Sequence, residues 1–158
     1  MSSASSTPRR VLLVDNHDSY TYNLFQLVAE VTGRDPVVVR NDEAGFTTAD
    51  LAGFAAVVVS PGPGHPGVPR DFGVSAEVLR AARVPVLGVC LGHQGIALGE
   101  GAAVVRAPAP RHGFVDRIRH TGAGPFAGLP QDFAAVRYHS LCVPEPLPPQ
   151  LEPVAWAG

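Results

Sequence analysis

Four short apolar runs, "VLLV" (11–14), "PVVVR" (36–40), "AAVVVS" (55–60) and "VPVLGVC" (84–90), are rich in β-branched residues and apolar at successive positions. Strands of that kind are buried on both faces, and here segments of helical periodicity separate them, which predicts a parallel sheet covered by helices. The first helix is expected from Asp18 or Ser19, either a suitable N-cap, through "YTYNLFQLVAEV", with Gly33 ending it. Leu24, Leu27, Val28 and Val31 fall at helical spacing and are expected to face the core. A second helix is expected over 73–82 and a third from Leu91.

After Gly101 the pattern changes to short apolar segments separated by Gly and Pro: "AAVVRAP", "RHGFVDRIRH" and "FAAVRYHSL". These read as antiparallel strands added to the edge of the parallel sheet. The fold class is therefore α/β, an open, mostly parallel sheet with antiparallel edge strands. A proline-rich "VPEPLPPQLEP" precedes "LEPVAWAG", which resumes a strand pattern and stops, so C-terminal elements are expected to be missing. "MSSASSTPRR" has no apolar core of a signal peptide. Residues 1–9 are expected to be a disordered leader, and 10–158 one domain incomplete at its C-terminus. Missing elements would leave apolar sheet surface uncovered, with marginal stability or aggregation as the result.

At 158 residues and 46% hydrophobic content, the chain can bury one substantial core. A formal net charge of -2 without a basic cluster offers no footprint for nucleic acid or an anionic membrane, and a small polar substrate is expected. All 12 basic residues are arginines, which excludes a Schiff-base lysine and a P-loop. A cytoplasmic, reducing setting is expected, with Cys90 and Cys142 unpaired.

Cys90 sits between Gly88 and Gly92 where a strand gives way to a helix. A residue on such a sharp turn has a strained backbone, and bulky side chains two positions either side would collide. The turn lifts the Cys90 side chain above the carboxyl edge of the sheet. There the helix N-terminus is expected to favour thiolate, and the Leu91 N–H to stabilise an oxyanion. The alternative is a buried, inert cysteine. Cys142 has no such setting and is expected to be packing. Gln94, one turn along the helix, could hold a polar substrate beside the thiol or serve as a solvent-facing or capping residue. His93, on the nucleophile's own helix, is expected to be structural.

"SPGPGHPG" leaves the strand 55–59 at the same sheet edge, where open α/β sheets bind ligands. Gly62, Pro63 and Gly64 can form a rigid loop that turns a second N–H, that of Gly64, toward the cysteine; an ordinary surface turn is the alternative. Together the two loops form a constellation for acyl transfer through a thioester.

"LLVDNHDSYTYNL", "VVSPGPGHP", "GVCLGHQGIA" and "RYHSL" resemble, in order and spacing, the class I glutamine amidotransferase domains of the chorismate-using enzymes. The resemblance implies a flavodoxin-like sheet, hydrolysis of L-glutamine, no cofactor or metal in this domain, and delivery of ammonia to a chorismate-converting synthase, fused or separate. It implies Cys90 as nucleophile, Gly62, Pro63 and Gly64 as oxyanion and glutamine loop, and Gln94, Ser140 and Leu141 as glutamine-binding positions. "DNHDSYTYN" is read as loop structure and partner contact. "DSYTYN", "RNDE", and "RHGFVDRIRHTG" followed by "FAGLP" look most like the aminodeoxychorismate synthases, of p-aminobenzoate, folate or antibiotic biosynthesis. Anthranilate synthases, of tryptophan biosynthesis, are the alternative.

Thiol catalysis also needs a base held by a third group. The family's His-Pro-Glu triplet is not in this sequence: none of its 6 histidines has a glutamate two residues on. Three readings follow: an N-terminal fragment of an active enzyme, inactive alone; a silent domain that only binds a synthase; or a cysteine hydrolase of another acyl substrate.

Overall fold

The computed structural model describes residues 10–157; the expected leader, residues 1–9, lies outside them. The described residues divide into two compact units, which meet in sequence between Gly99 and Glu100.

The first unit is a four-stranded parallel sheet in the order β2-β1-β3-β4, formed by β1 (Arg10–Asp15), β2 (Val37–Arg40), β3 (Phe54–Val59) and β4 (Val86–Gly88). Leu12, Val14, Val57 and Val59 are buried and pack with Leu51, Phe72, Val78 and Leu91 into one cluster. Helices α2 (Pro69–Phe72), α3 (Val74–Ala81) and α4 (Leu91–Gly99) follow the last two loops, close to the expected 73–82 and Leu91. Gly95 lets α4 approach this core, because a Cβ there would run into the ring of Phe72.

Helix α1 (Thr21–Thr32) departs from expectation at its start. Neither Asp18 nor Ser19 caps it; the N-cap is Tyr20, without a side-chain bond. The Asp15 carboxylate accepts from the Thr21 hydroxyl and the Asp18 N–H, so the loop after β1 is stitched before the helix begins. Gly33 ends α1 in the left-handed conformation, as expected.

The apolar stripe of α1 is not buried as expected. Leu27 is 57% exposed and Val31 85% exposed. With Leu24 and Val28 they line a groove whose floor is the sheet face at Val11, Ala56, Val58 and Leu87. The stripe faces the sheet, but no described residue fills the groove between α1 and β4, where Leu87 is 55% exposed.

The second unit is an antiparallel sheet in the order β6-β5-β7, from β5 (Val105–His120), β6 (Phe133–Cys142) and β7 (Ala155–Ala157). The expected antiparallel strands are therefore present, but they pair with one another as a separate sheet instead of extending the parallel one. Strand β5 is long because two register shifts, between Arg106 and Arg111 and between His112 and Phe114, let it bend along β6. "LEPVAWAG" supplies β7, where Trp156 pairs with Arg119.

An open apolar groove on a small unit predicts concentration-dependent self-association. Val31→Lys together with Leu27→Glu should lower light scattering of the purified chain. The unfolding free energy should stay within about 0.5 kcal/mol, since neither side chain is buried. Unchanged scattering would show that another surface causes the association.

Candidate active site

Each parallel strand ends with backbone polar groups that no neighbouring strand satisfies, and here one side chain gathers them. Asn16, just past β1, is fully buried. Its Nδ2 donates to the Ser60 carbonyl at 2.9 Å, and its own backbone N–H donates to Ser60 Oγ at 2.8 Å. Its Oδ1 accepts from Asn41 Nδ2 at 3.0 Å and from Ser75 Oγ at 2.7 Å. Asn41, past β2, also donates from Nδ2 to the Asp71 carbonyl at 2.9 Å and accepts the Val74 N–H at 2.8 Å. Gly73 at φ +47° allows this approach, because a Cβ there would collide with the Asn41 carbonyl oxygen. The ends of β1, β2 and β3 and the start of α3 are thus tied at one point.

The knot fixes both ends of the "PGPGH" loop. Ser60 holds its start, and the His65 N–H donates to Asp71 Oδ2 at 3.0 Å at its end. Gly62 is closely packed: a Cβ would lie 2.5 Å from Asn16 Cβ and 3.0 Å from Leu91 Cδ2. Gly64 has φ +88°, and a Cβ there would overlap the Asp71 carboxylate. Pro63 and Gly64 are exposed, and no hydrogen bond occupies the Gly64 N–H among the described residues.

The turn carrying Cys90 has the expected strain. Cys90 lies at φ +51°, a left-handed conformation that costs a non-glycine residue about 1–2 kcal/mol. A Cβ at Gly88 would lie 2.5 Å from the Gly92 carbonyl carbon, and one at Gly92 would overlap the Val59 carbonyl. Both glycines are therefore required by backbone, not by flexible side chains. The Val89 N–H donates to that same Val59 carbonyl at 3.0 Å, anchoring the turn to β3. Gln94 donates its backbone N–H to the Cys90 carbonyl at 2.9 Å and is buried, so it is not the solvent-facing residue of the alternative reading. His93 is exposed, with local desolvation lowering its pKa.

One expectation is overturned. Cys90 is half-buried, and its thiol is pushed up from the ordinary value, first by burial and further by the negative charge of Asp18. The Leu91 N–H donates to the sulfur and acts in the opposite direction, but it is outweighed. The helix N-terminus does not by itself make a thiolate here, because desolvation of the anion exceeds the stabilisation one N–H supplies.

In the second unit, the pleat of β6 separates the residues of "RYHSL". Ser140 is exposed, with its hydroxyl 3.0 Å from His112 Nε2. On the opposite face, Arg137 Nη1 donates to Asp116 Oδ2 at 2.7 Å and Arg137 Nε donates to His139 Nε2 at 3.1 Å. His139 Nδ1 lies 2.9 Å from the Leu141 carbonyl, so the ring is the neutral Nδ1–H tautomer with both nitrogens engaged. The Arg137 hydrogen bond, aided by the Arg117 N–H, holds the Asp116 carboxyl below its ordinary value. Cys142 is half-buried at the end of β6, and both cysteines are free.

A family model described as glutamine amidotransferase class-I matches residues 12–158. The chain belongs to this family. An aminodeoxychorismate synthase of Streptomyces griseus is 56% identical over 148 residues, which cover 94% of this chain and 20% of that protein. An anthranilate synthase component 2 of Leptospira biflexa is 45% identical over 151 residues, covering 90% of this chain and 75% of that protein. The chain thus spans about a fifth of the length of the first relative. A glutamine amidotransferase of Methylobacillus flagellatus shares the fold, with a TM-score of 0.71 at 19% identity over 95% of this chain and 61% of the other.

The knot and the thiol each yield a prediction. Asn16→Ala strands several buried partners and should cost about 3 kcal/mol, whereas Ser75→Ala removes one bond and should cost about 1 kcal/mol; denaturant midpoints measure both. Equal, small effects would mean the knot is not cooperative. Alkylation of Cys90 by iodoacetamide should rise with pH to a midpoint above the ordinary cysteine value of about 8.5. A midpoint below that value would return the advantage to the helix N-terminus.

Proposed function

We propose that the chain is the glutaminase part of a chorismate-converting synthase of the aminodeoxychorismate type. It releases ammonia from L-glutamine and passes it to a synthase domain or subunit. The observation that carries this reading is the left-handed Cys90, wedged between Gly88 and Gly92 with the Leu91 N–H on its sulfur. Names and identities of the relatives support the product class. The anthranilate type is the second reading, favoured by the 45% identical component 2.

The Cys90 sulfur, once deprotonated, adds to the side-chain amide carbon of glutamine, and the carbonyl electron pair moves onto oxygen. The Leu91 and Gly64 N–H groups receive that oxyanion, with Gly62 and Pro63 holding the loop in place. Collapse breaks the C–N bond, and the departing nitrogen takes a proton to leave as ammonia. Water then adds to the thioester, glutamate departs, and the sulfur regains a proton. Gln94 in the first unit is a further glutamine-binding position, and the resemblance adds Ser140 and Leu141 of the second. No cofactor or metal takes part, and the two free thiols suit a cytoplasmic setting. No helix among the described residues is long and apolar enough to cross a membrane.

Two proton transfers in this scheme need a base, and all the histidines here but His93 are otherwise engaged. His17 lies between Arg40 and Asp42, His112 meets Ser140, and His120 bonds to the Pro130 carbonyl and the Gly122 N–H. His139 is locked by Arg137 and Leu141, and His65 Nδ1 accepts the Gly67 N–H. His93 has no carboxylate orienter among the described ion pairs. These 158 residues alone therefore bind glutamine but turn it over slowly, and a His-x-Glu segment supplied with them restores the rate.

An electrophilic glutamine analogue should label Cys90 and leave Cys142 unmodified, as peptide mapping would show. In a form carrying the His-x-Glu segment, Cys90→Ser should lower ammonia release by about 1,000-fold or more, with or without the chorismate-converting partner. Labelling at Cys142, or undiminished ammonia release, would defeat the reading.

A further inference from the structure

On sequence, "DNHDSYTYN" has no assigned chemistry, yet the structure brings this loop to the thiol. A Cβ at Gly62 would run into Asn16 on one side and Leu91 on the other, so the loops after β1, β3 and β4 meet at one place. Asp18 lies two residues beyond Asn16 and is half-buried. Its position is fixed from both sides: its N–H donates to Asp15 Oδ1 at 3.1 Å, and its Oδ1 accepts the Tyr20 N–H at 2.7 Å. The preceding His17 is held at φ +59°.

That accounts for one carboxylate oxygen. The other has no partner among the described residues, and the four ion pairs there use Asp42, Asp71 and Asp116 instead. An unpaired carboxylate whose field reaches a nucleophilic sulfur opposes the anion that catalysis needs. Such an arrangement becomes useful when the ligand itself brings the missing cation. An amino-acid amide does so: its α-ammonium would pair with the carboxylate and remove the charge that opposes thiolate formation.

We propose that Asp18 is a specificity-determining residue that binds the α-ammonium group of the amino-acid amide held at Cys90. The proposal rests on the glutaminase reading and adds to it the group that distinguishes an amino acid from a plain amide.

Asp18→Asn retains the oxygen that accepts the Tyr20 N–H and removes the charge. Protection of Cys90 from iodoacetamide reports binding without requiring turnover, so it can be measured on the 158-residue chain. The probes are L-glutamine and 5-amino-5-oxopentanoate, which has the same amide and carboxylate without the amino group. Glutamine should protect the wild-type chain at a concentration about tenfold or more below that of the des-amino compound. In Asp18→Asn, glutamine should weaken about tenfold to the level of the des-amino compound, whose own protection stays unchanged. Equal protection of both chains by glutamine would overturn the proposal and leave the glutaminase reading standing. Parallel weakening of both compounds would also overturn it, because Asp18 would then act only through the loop. If glutamine protects neither chain, the glutaminase reading fails at Cys90 and the proposal falls with it.

Discussion

The first unit depends on one buried amide. Asn16 has four hydrogen bonds and no contact with water to relax them, so each partner is held at one distance and angle. A hydrophobic side chain at this point would take away the partner of the Ser60 carbonyl and of the Ser75 hydroxyl, and one of the two acceptors of the Asn41 amide. The cost of burying the amide is offset by what it fixes: three strand ends and the start of a helix share a common origin. The loops that leave that origin carry Asp18, Gly62 to Gly64 and, through the contact of Gly62 with Leu91, the Cys90 turn. A site made of loops thereby acquires the rigidity of the sheet.

Much of this architecture was legible because the strands are apolar on both faces and the glycines flank the cysteine symmetrically. The close approach of Gly88 to Gly92 follows from the local geometry of a strand-to-helix turn. Less legible were the features that depend on what lies nearby in space. Asp18 has the composition of a helix cap, but its carboxylate turns to Tyr20 while Asp15 stitches the loop. Leu27 and Val31 have the spacing of a buried stripe, and spacing cannot reveal whether anything covers the groove they face. The ionisation of Cys90 was misread for the same reason: the helix terminus is local and visible, whereas burial and the Asp18 charge are not. For Asn16 the only sequence signal was a polar residue within two positions of the end of each of the first three apolar runs, at Asn16, Asn41 and Ser60.

The second unit uses the strand period to give one motif two tasks. In "RYHSL" the residues of one face form the chain Asp116, Arg137, His139 and the Leu141 carbonyl, each holding the next. On the other face, Tyr138 meets the His112 ring edge-on with centroids 4.9 Å apart, and the same His112 reaches the Ser140 hydroxyl. A histidine with both nitrogens engaged acts as a strut. Its presence in the motif concerns the direction of a carbonyl, not the movement of a proton.

A thiol kept protonated between encounters has a further consequence. Peroxide and other oxidants react with thiolates, and sulfinic and sulfonic acids formed from a nucleophile are permanent losses. Burial and the Asp18 charge hold the resting sulfur in its least oxidisable form. The feature that slows Cys90 at rest therefore also preserves it.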